Sequence, residues 1–198
     1  MKKSVVIGAT GTIGKGIAHL LKSEGHDVIA ASRKSKNPID IDQPESIKRF
    51  FQNHRDLDYI VCAAGNANFG SLAELTDDQI DLGIKSKLLG QINVVRHGLP
   101  VLKPNGAIIL TGGILAHQPM PGSAAISMVN AGLEGFVKAA ALELSEGRRI
   151  LIAHPPFLKE TAEAIGMPSE ELPTSPVVAE YYLKGLEGSE NGVAIYVE

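Results

Sequence analysis

Gly8, Gly11 and Gly14 follow directly on the apolar run Val5-Val6-Ile7 and lead into a helical pattern carried by Ile13, Ile17, Leu20 and Leu21. A strand that breaks into Gly8-Ala9-Thr10-Gly11-Thr12-Ile13-Gly14 and reopens as a helix makes a phosphate cradle. Gly8 permits the tight turn, Gly11 removes the Cβ that would hold a pyrophosphate off the backbone, and Gly14 lets helix and strand pack closely. The free N–H groups at the helix N-terminus then face the anion. After the next apolar run, Ser32, Arg33 and Lys34 stand where an acidic side chain would hold a ribose 2′-hydroxyl. A basic group there suits a 2′-phosphate instead, so NADP is the expected ligand and NAD the alternative. His117 and His154 fall in loops of the pattern described below, where an imidazole serves as acid or base near neutral pH or is simply a solvated or packed residue. No His/Asp/Glu spacing reads as a metal site, and no metal is expected. Cys62, the single cysteine, ends the apolar run Tyr59-Ile60-Val61 and reads as a buried structural thiol rather than a reactive one.

These residues need a frame, and the chain supplies one. Residues 5–7, 28–31, 59–63, 107–111, 150–153 and 193–197 read as strands, and 15–23, 45–53, 79–99, 123–145 and 177–187 as helices. Strand–helix alternation of this kind implies an α/β fold, a Rossmann-type doubly wound parallel sheet with helices on both faces and ligands beyond the carboxyl ends of the strands. The loops 63–66, 111–122 and 154–171 should then line one cleft. At 198 residues the chain suits a single domain, 1–198, with the Pro/Gly/Ser-rich stretch 166–176 belonging to a mobile flap over 157–176. A net charge of −3 with scattered basic residues argues against nucleic acid. The lack of a long apolar run argues against a membrane, and the Met-Lys-Lys start runs into a strand rather than a cleavable signal, so a cytoplasmic location is expected. The helix 123–145 is apolar around more of its circumference than one sheet face requires, with Ala124, Met128 and Gly132 beside Ala125, Val129 and Leu133. The excess should bury against a second copy, together with the helical residues 87–99, in a homodimer or homotetramer.

With the strands placed, nearly the whole sequence resembles the short-chain dehydrogenase/reductase family. The glycine turn is one match, and Asp40-Ile41 resembles the pair that contacts adenine. Cys62-Ala63-Ala64-Gly65 stands where the family has Asn-Asn-Ala-Gly, and Leu89-Gly90 through Leu99-Pro100 resembles its long central helix. Ala131-Gly132-Leu133-Glu134-Gly135-Phe136 followed by Ala141-Leu142-Glu143-Leu144 is similar to the helix after the active-site tyrosine. The resemblance implies a dinucleotide held by Gly8, Thr10, Gly11, Thr12, Ile13, Gly14, Ser32, Arg33, Asp40, Ile41, Ala63, Ala64, Gly65 and Thr161, the last resembling a threonine near the nicotinamide amide.

The same alignment removes the family's catalytic side chains. It places Ile126 at the tyrosine, Asn130 at the lysine, Gly113 or at best Thr111 at the serine, and Lys87 at the asparagine position. The lysine and asparagine stand as though exchanged between helices. On this basis Lys87, Asn130, Thr111 and His117 are the catalytic candidates, with Lys87 expected to reach the vacated pocket and meet Asn130 directly or through a water. The alternative for Lys87 is a solvated helix-surface residue. The expected function is an NADP(H)-binding oxidoreductase acting on an unknown small carbonyl or alcohol. The alternative is a catalytically silent dinucleotide sensor or partner-binding protein.

Overall fold

A computed structural model describes residues 1–164 and 166–197. The strands are β1 (Lys3–Ile7), β2 (Asp27–Ser32), β3 (Asn37–Pro38), β4 (Leu57–Cys62), β5 (Leu102–Thr111), β6 (Arg149–His154) and β7 (Ala194–Tyr196). They form one parallel sheet in the order β3-β2-β1-β4-β5-β6-β7. The chain reverses its direction of travel across the sheet between β1 and β4, which opens a crevice at their carboxyl ends.

Strand pleating sorts the apolar residues onto two faces. Val5, Ile7, Ile60, Cys62, Ile108, Leu110, Ile150 and Ile152 pack on one side against α2 (Pro44–Asn53), α4 (Gly90–Gly98) and α5 (Ala124–Ala140). Val6, Tyr59, Val61, Ala107, Ile109, Leu151 and Ala153 pack on the other against α1 (Thr12–Ser23) and α7 (Ser175–Glu187). Near-continuous apolar strands are what burial on both faces demands. Among the described residues no helix is long and apolar enough to cross a membrane.

The single helix expected over 79–99 is instead three pieces: α3 (Asp77–Gly83), a π-helical segment Ile84–Leu89, and α4. Helical periodicity in the sequence does not distinguish these, because a π-bulge adds one residue to a turn without changing composition. The helix expected to reach 145 stops at Ala140. Within the 157–176 segment a short helix, α6 (Lys159–Ala164), forms where a flap was expected, with Leu158 and Ala162 buried. Lys159 N–H donates to Pro173 O at 2.9 Å and Ser175 N–H to Glu160 Oε1 at 2.8 Å. Residue 165 of that segment lies outside the described residues.

Candidate active site

The crevice at the β1/β4 switch is a cavity of about 680 Å³. Gly8, Thr10 and Gly11 form its floor, Ser32, Arg33 and Lys34 one wall, Asp40, Ile41 and Asp42 another, and Ala63, Ala64, Gly65, Asn66 and Ser86 the far side. Gly8 has φ +85°, and an added Cβ would overlap the Ala63 carbonyl, so both its backbone conformation and the approach of β4 require glycine. An added Cβ on Gly14 would overlap the Gly8 carbonyl, which is the close helix–strand packing the spacing implied. Thr12, Ile13 and Gly14 stand behind the turn on α1 rather than in the cavity lining. Thr161 is exposed on α6 and likewise lies outside that lining.

Arg33 and Lys34 are exposed at the cavity rim, free to meet an anion. Two buried oxygens of the lining, Ser32 Oγ and Asp42 Oδ1, have no hydrogen-bond partner among the described residues. Buried polar atoms of this kind are ordinarily hydrogen-bonded, so both are available to a bound polar group. Asp42 and Ser86 are additions to the residues expected here; Asp42 follows the Asp40-Ile41 pair, and its N–H donates to Asp40 Oδ1 at 3.1 Å.

Lys87 lies on the π-helical segment, beside this cavity. A Cβ on Gly65 would lie 2.8 Å from Lys87 Cα, and the Lys87 Nζ donates to Gly112 O at 2.9 Å. The side chain is therefore turned inward, not solvated. Burial pushes its ammonium down to about 8, against the nearby Cys62 thiol, itself fully buried and pushed up to about 12 by desolvation. Asn130 is buried on α5, and its Nδ2 donates to Gly113 O at 3.4 Å while its Oδ1 has no partner among the described residues. The expected Lys87–Asn130 meeting takes another form: the two side chains hold successive carbonyls of one backbone segment, Gly112 and Gly113.

Thr111 does not belong to this site. Strand alternation turns its side chain to the α1/α7 face, where Oγ1 and the fully buried Tyr182 hydroxyl lie 2.8 Å apart. Its backbone is held from the opposite side by the buried Gln91, whose Nε2 donates to Thr111 O at 2.8 Å and whose Oε1 accepts from Thr111 N–H at 3.0 Å. Gln91 was not singled out in the sequence, since nothing local marks a glutamine as a strand clamp.

His154 closes β6 rather than lying in a loop, and is fully buried. Its Nδ1 is 3.0 Å from Gly113 O and 3.1 Å from Gly113 N, so the ring proton decides which bond forms. Burial holds His154 below the ordinary histidine range against the opposing pull of Gly113 and Glu134. His117, after the 3₁₀ turn Ile114–Ala116, places Nε2 at 2.6 Å from Glu134 Oε2 and 3.1 Å from the Tyr196 hydroxyl. Burial works to raise the Glu134 carboxyl, but hydrogen bonds from Lys138 and His117 outweigh it and hold it below the usual range. Three groups with metal-ligating atoms thus converge where the sequence spacing gave no such expectation: His117, Glu134 and His154, from a loop, a helix and a strand.

A family model described as Enoyl-(Acyl carrier protein) reductase matches residues 8–175. Oxidoreductase UcpA of Escherichia coli (strain K12) is 26% identical over 208 residues, covering 90% of this chain and 78% of its own. The 3-oxoacyl-(acyl-carrier-protein) reductase FabG of Staphylococcus aureus is 28% identical over 183 residues, covering 79% and 74%. Among solved structures, the protein lin1944 from Listeria innocua superposes with a TM-score of 0.94 at 34% identity, over 100% of both chains. A small-chain dehydrogenase in complex with NADPH superposes at 0.89 with 26% identity, over 100% of this chain and 96% of its own.

Proposed function

The chain belongs to the short-chain dehydrogenase/reductase family, and from that premise we propose that it is an NADP(H)-dependent oxidoreductase of a small carbonyl or alcohol. The observation that carries this reading is the single cleft joining the glycine turn, the Ser32-Arg33-Lys34 corner and the Asp40–Asp42 wall. A dinucleotide fits that cleft: its pyrophosphate over Gly8–Gly11 and the N-terminus of α1, its 2′-phosphate at Arg33. The unpartnered Ser32 Oγ and Asp42 Oδ1 are a donor–acceptor and an acceptor of the kind a ribose phosphate and an adenine amino group satisfy. A structural relative that binds NADPH supports the same choice.

The bound nicotinamide would supply the hydride. In this chain Ile126 offers no proton, and Lys87 takes over the polar role in the pocket. Its ammonium, near 8 in a desolvated setting, holds a proton that can be passed to a developing alkoxide at neutral pH. Gly112 O engages one of its N–H groups, leaving others for a substrate oxygen. Asn130 fixes Gly113 O beside it.

The test is calorimetry with NADP, NADPH and NAD, followed by nicotinamide absorbance against a panel of aldehydes, ketones and alcohols. NADPH is expected to bind more tightly than NADH and to be consumed by at least one carbonyl. Tight binding with no turnover across the panel would favour a silent sensor. A second copy of the chain is part of this proposal. Met128 and Leu89 are each 45% exposed, and Ala124 and Gly132 are exposed on the same helix as Met128. Light scattering should give a dimer or tetramer, reduced to a monomer by Met128→Glu. The cytoplasm is the proposed setting.

A further inference from the structure

We propose that His117, Glu134 and His154 bind one divalent transition cation of the zinc class, at a site separate from the dinucleotide cleft. Their ligating atoms all lie within 4.8 Å of one another. Glu134 Oε2 occupies the middle, 2.6 Å from His117 Nε2 and 3.2 Å from His154 Nε2. Tetrahedral zinc with bonds of about 2.0–2.1 Å sets neighbouring ligand atoms about 3.3 Å apart. The Glu134–His154 spacing already matches. His117 must draw back from Oε2 and settle about 3.3 Å from both other ligand atoms, and with its side chain 35% exposed it has room to move.

An independent feature points to a ligand at this spot. His154 Nε2 is buried and has no hydrogen-bond partner among the described residues, although the Glu134 carboxylate is near. The carboxylate oxygen, 3.2 Å away, is close enough for electrostatic attraction. With the ring proton on Nδ1, His154 donates to Gly113 O and presents the bare Nε2 lone pair beside a carboxylate oxygen. Two such electron-rich atoms side by side are stabilised by a cation between them. A ring N–H held by a backbone carbonyl is also the support that fixes a ligating histidine's orientation.

The rest of the neighbourhood is compatible. Lys138 Nζ binds the other oxygen, Glu134 Oε1, at 2.6 Å, so Oε2 is shared only between the two histidines. Its side chain is 61% exposed, so it can swing away from an incoming positive charge. Two imidazoles and one carboxylate select zinc-like cations over magnesium or calcium, which prefer all-oxygen sets. Three protein ligands leave a fourth position for water, with the Tyr196 hydroxyl, 3.1 Å from His117 Nε2, at its rim. The residues come from the β5–α5 loop, α5 and β6, so the site exists only in the folded chain.

The experiment uses the full chain stripped with chelator and titrated with Co(II) alone, read by visible d–d absorption, and with Zn(II) alone, read by calorimetry and thermal midpoint. One cation per chain, a tetrahedral or five-coordinate Co(II) spectrum and a raised midpoint are expected. His117→Ala, at a partly exposed position where folding is retained, should weaken Zn(II) binding at least about tenfold. Glu134→Gln should do the same, and His19→Ala, on exposed α1 surface, should not. The proposal is overturned by an absent Co(II) spectrum, by unchanged Zn(II) affinity in His117→Ala, or by equal competition from Mg(II). None of these readouts involves the dinucleotide, so failure here leaves the oxidoreductase reading untouched, and failure to bind NADPH leaves this one untouched.

Discussion

The nucleotide cleft and the region around Gly112–Gly113 are built on different principles. The cleft is made by backbone: a glycine turn, a helix N-terminus and strand ends, whose geometry follows from where Cβ atoms are missing. The second region is made by side chains that reach one backbone segment from several directions. Lys87 comes from the π-helical segment, Asn130 from α5 and His154 from β6, and all three touch Gly112 or Gly113. A backbone site tolerates change in most of its side chains but none in its glycines. A side-chain site depends on each of the groups that reach the segment, here an amine, an amide and an imidazole.

The contrast can be broken most forcefully at Gly14. Gly14→Val should destabilise the fold by roughly 3 kcal/mol, because the new side chain overlaps the Gly8 carbonyl, and should abolish dinucleotide binding with it. Urea unfolding with wild-type stability and wild-type NADPH affinity would show that the turn is not held by close packing. Thr111→Val comes next. It leaves the buried Tyr182 hydroxyl without its partner and should cost about 2 kcal/mol of stability while leaving nicotinamide turnover unchanged. A loss of turnover at full stability would return Thr111 to the active site.

Arg33→Ala probes a part of the cleft that depends on a side chain. NADP affinity should fall about tenfold, or about 1.4 kcal/mol, with NAD affinity unaffected. Equal losses for both cofactors would mean that Arg33 does not meet the 2′-phosphate.

Lys87→Met makes the most specific change, in the pH dependence of stability, and none is expected from it below about pH 8. The folded-state ammonium is lowered from 10.5 to about 8, so below 8 both folded and unfolded chains carry the proton and the burial penalty is constant. Between about 8 and 10.5 the unfolded chain holds more protons, and wild-type stability should gain on the order of 1 kcal/mol per pH unit relative to the variant. Parallel stability curves for the two proteins across that window would place the ammonium in water.

The same division explains what could be read in advance. Six of the strands and the helices on both faces follow from apolar runs and their spacing, because a strand buried on two sides admits little else. The two-residue β3 escaped because it is too short to show a period. The glycine turn was legible for a local reason: strand end, turn and helix start are contiguous in the chain, whereas Asp40, Ile41 and Ala63–Gly65 were reached only through the family resemblance. Cys62 was legible too, as the last residue of an apolar strand. His154 was misplaced in a loop because a histidine at a strand terminus breaks the apolar pattern without ending the backbone pairing, which continues to Tyr196.

By itself the sequence determined the parallel sheet, the glycine cradle and the basic corner after β2, all of which are written in residue type and short spacing. Only the tertiary structure decided which way Lys87 turns, that Thr111 faces Tyr182, and that His117, Glu134 and His154 share one point. The physical reason is that a side chain's partners are set by pleat parity, helix phase and the stacking of β5, α5 and β6. A π-bulge rotates the residues beyond it, and a one-residue shift in a strand sends a side chain to the opposite face.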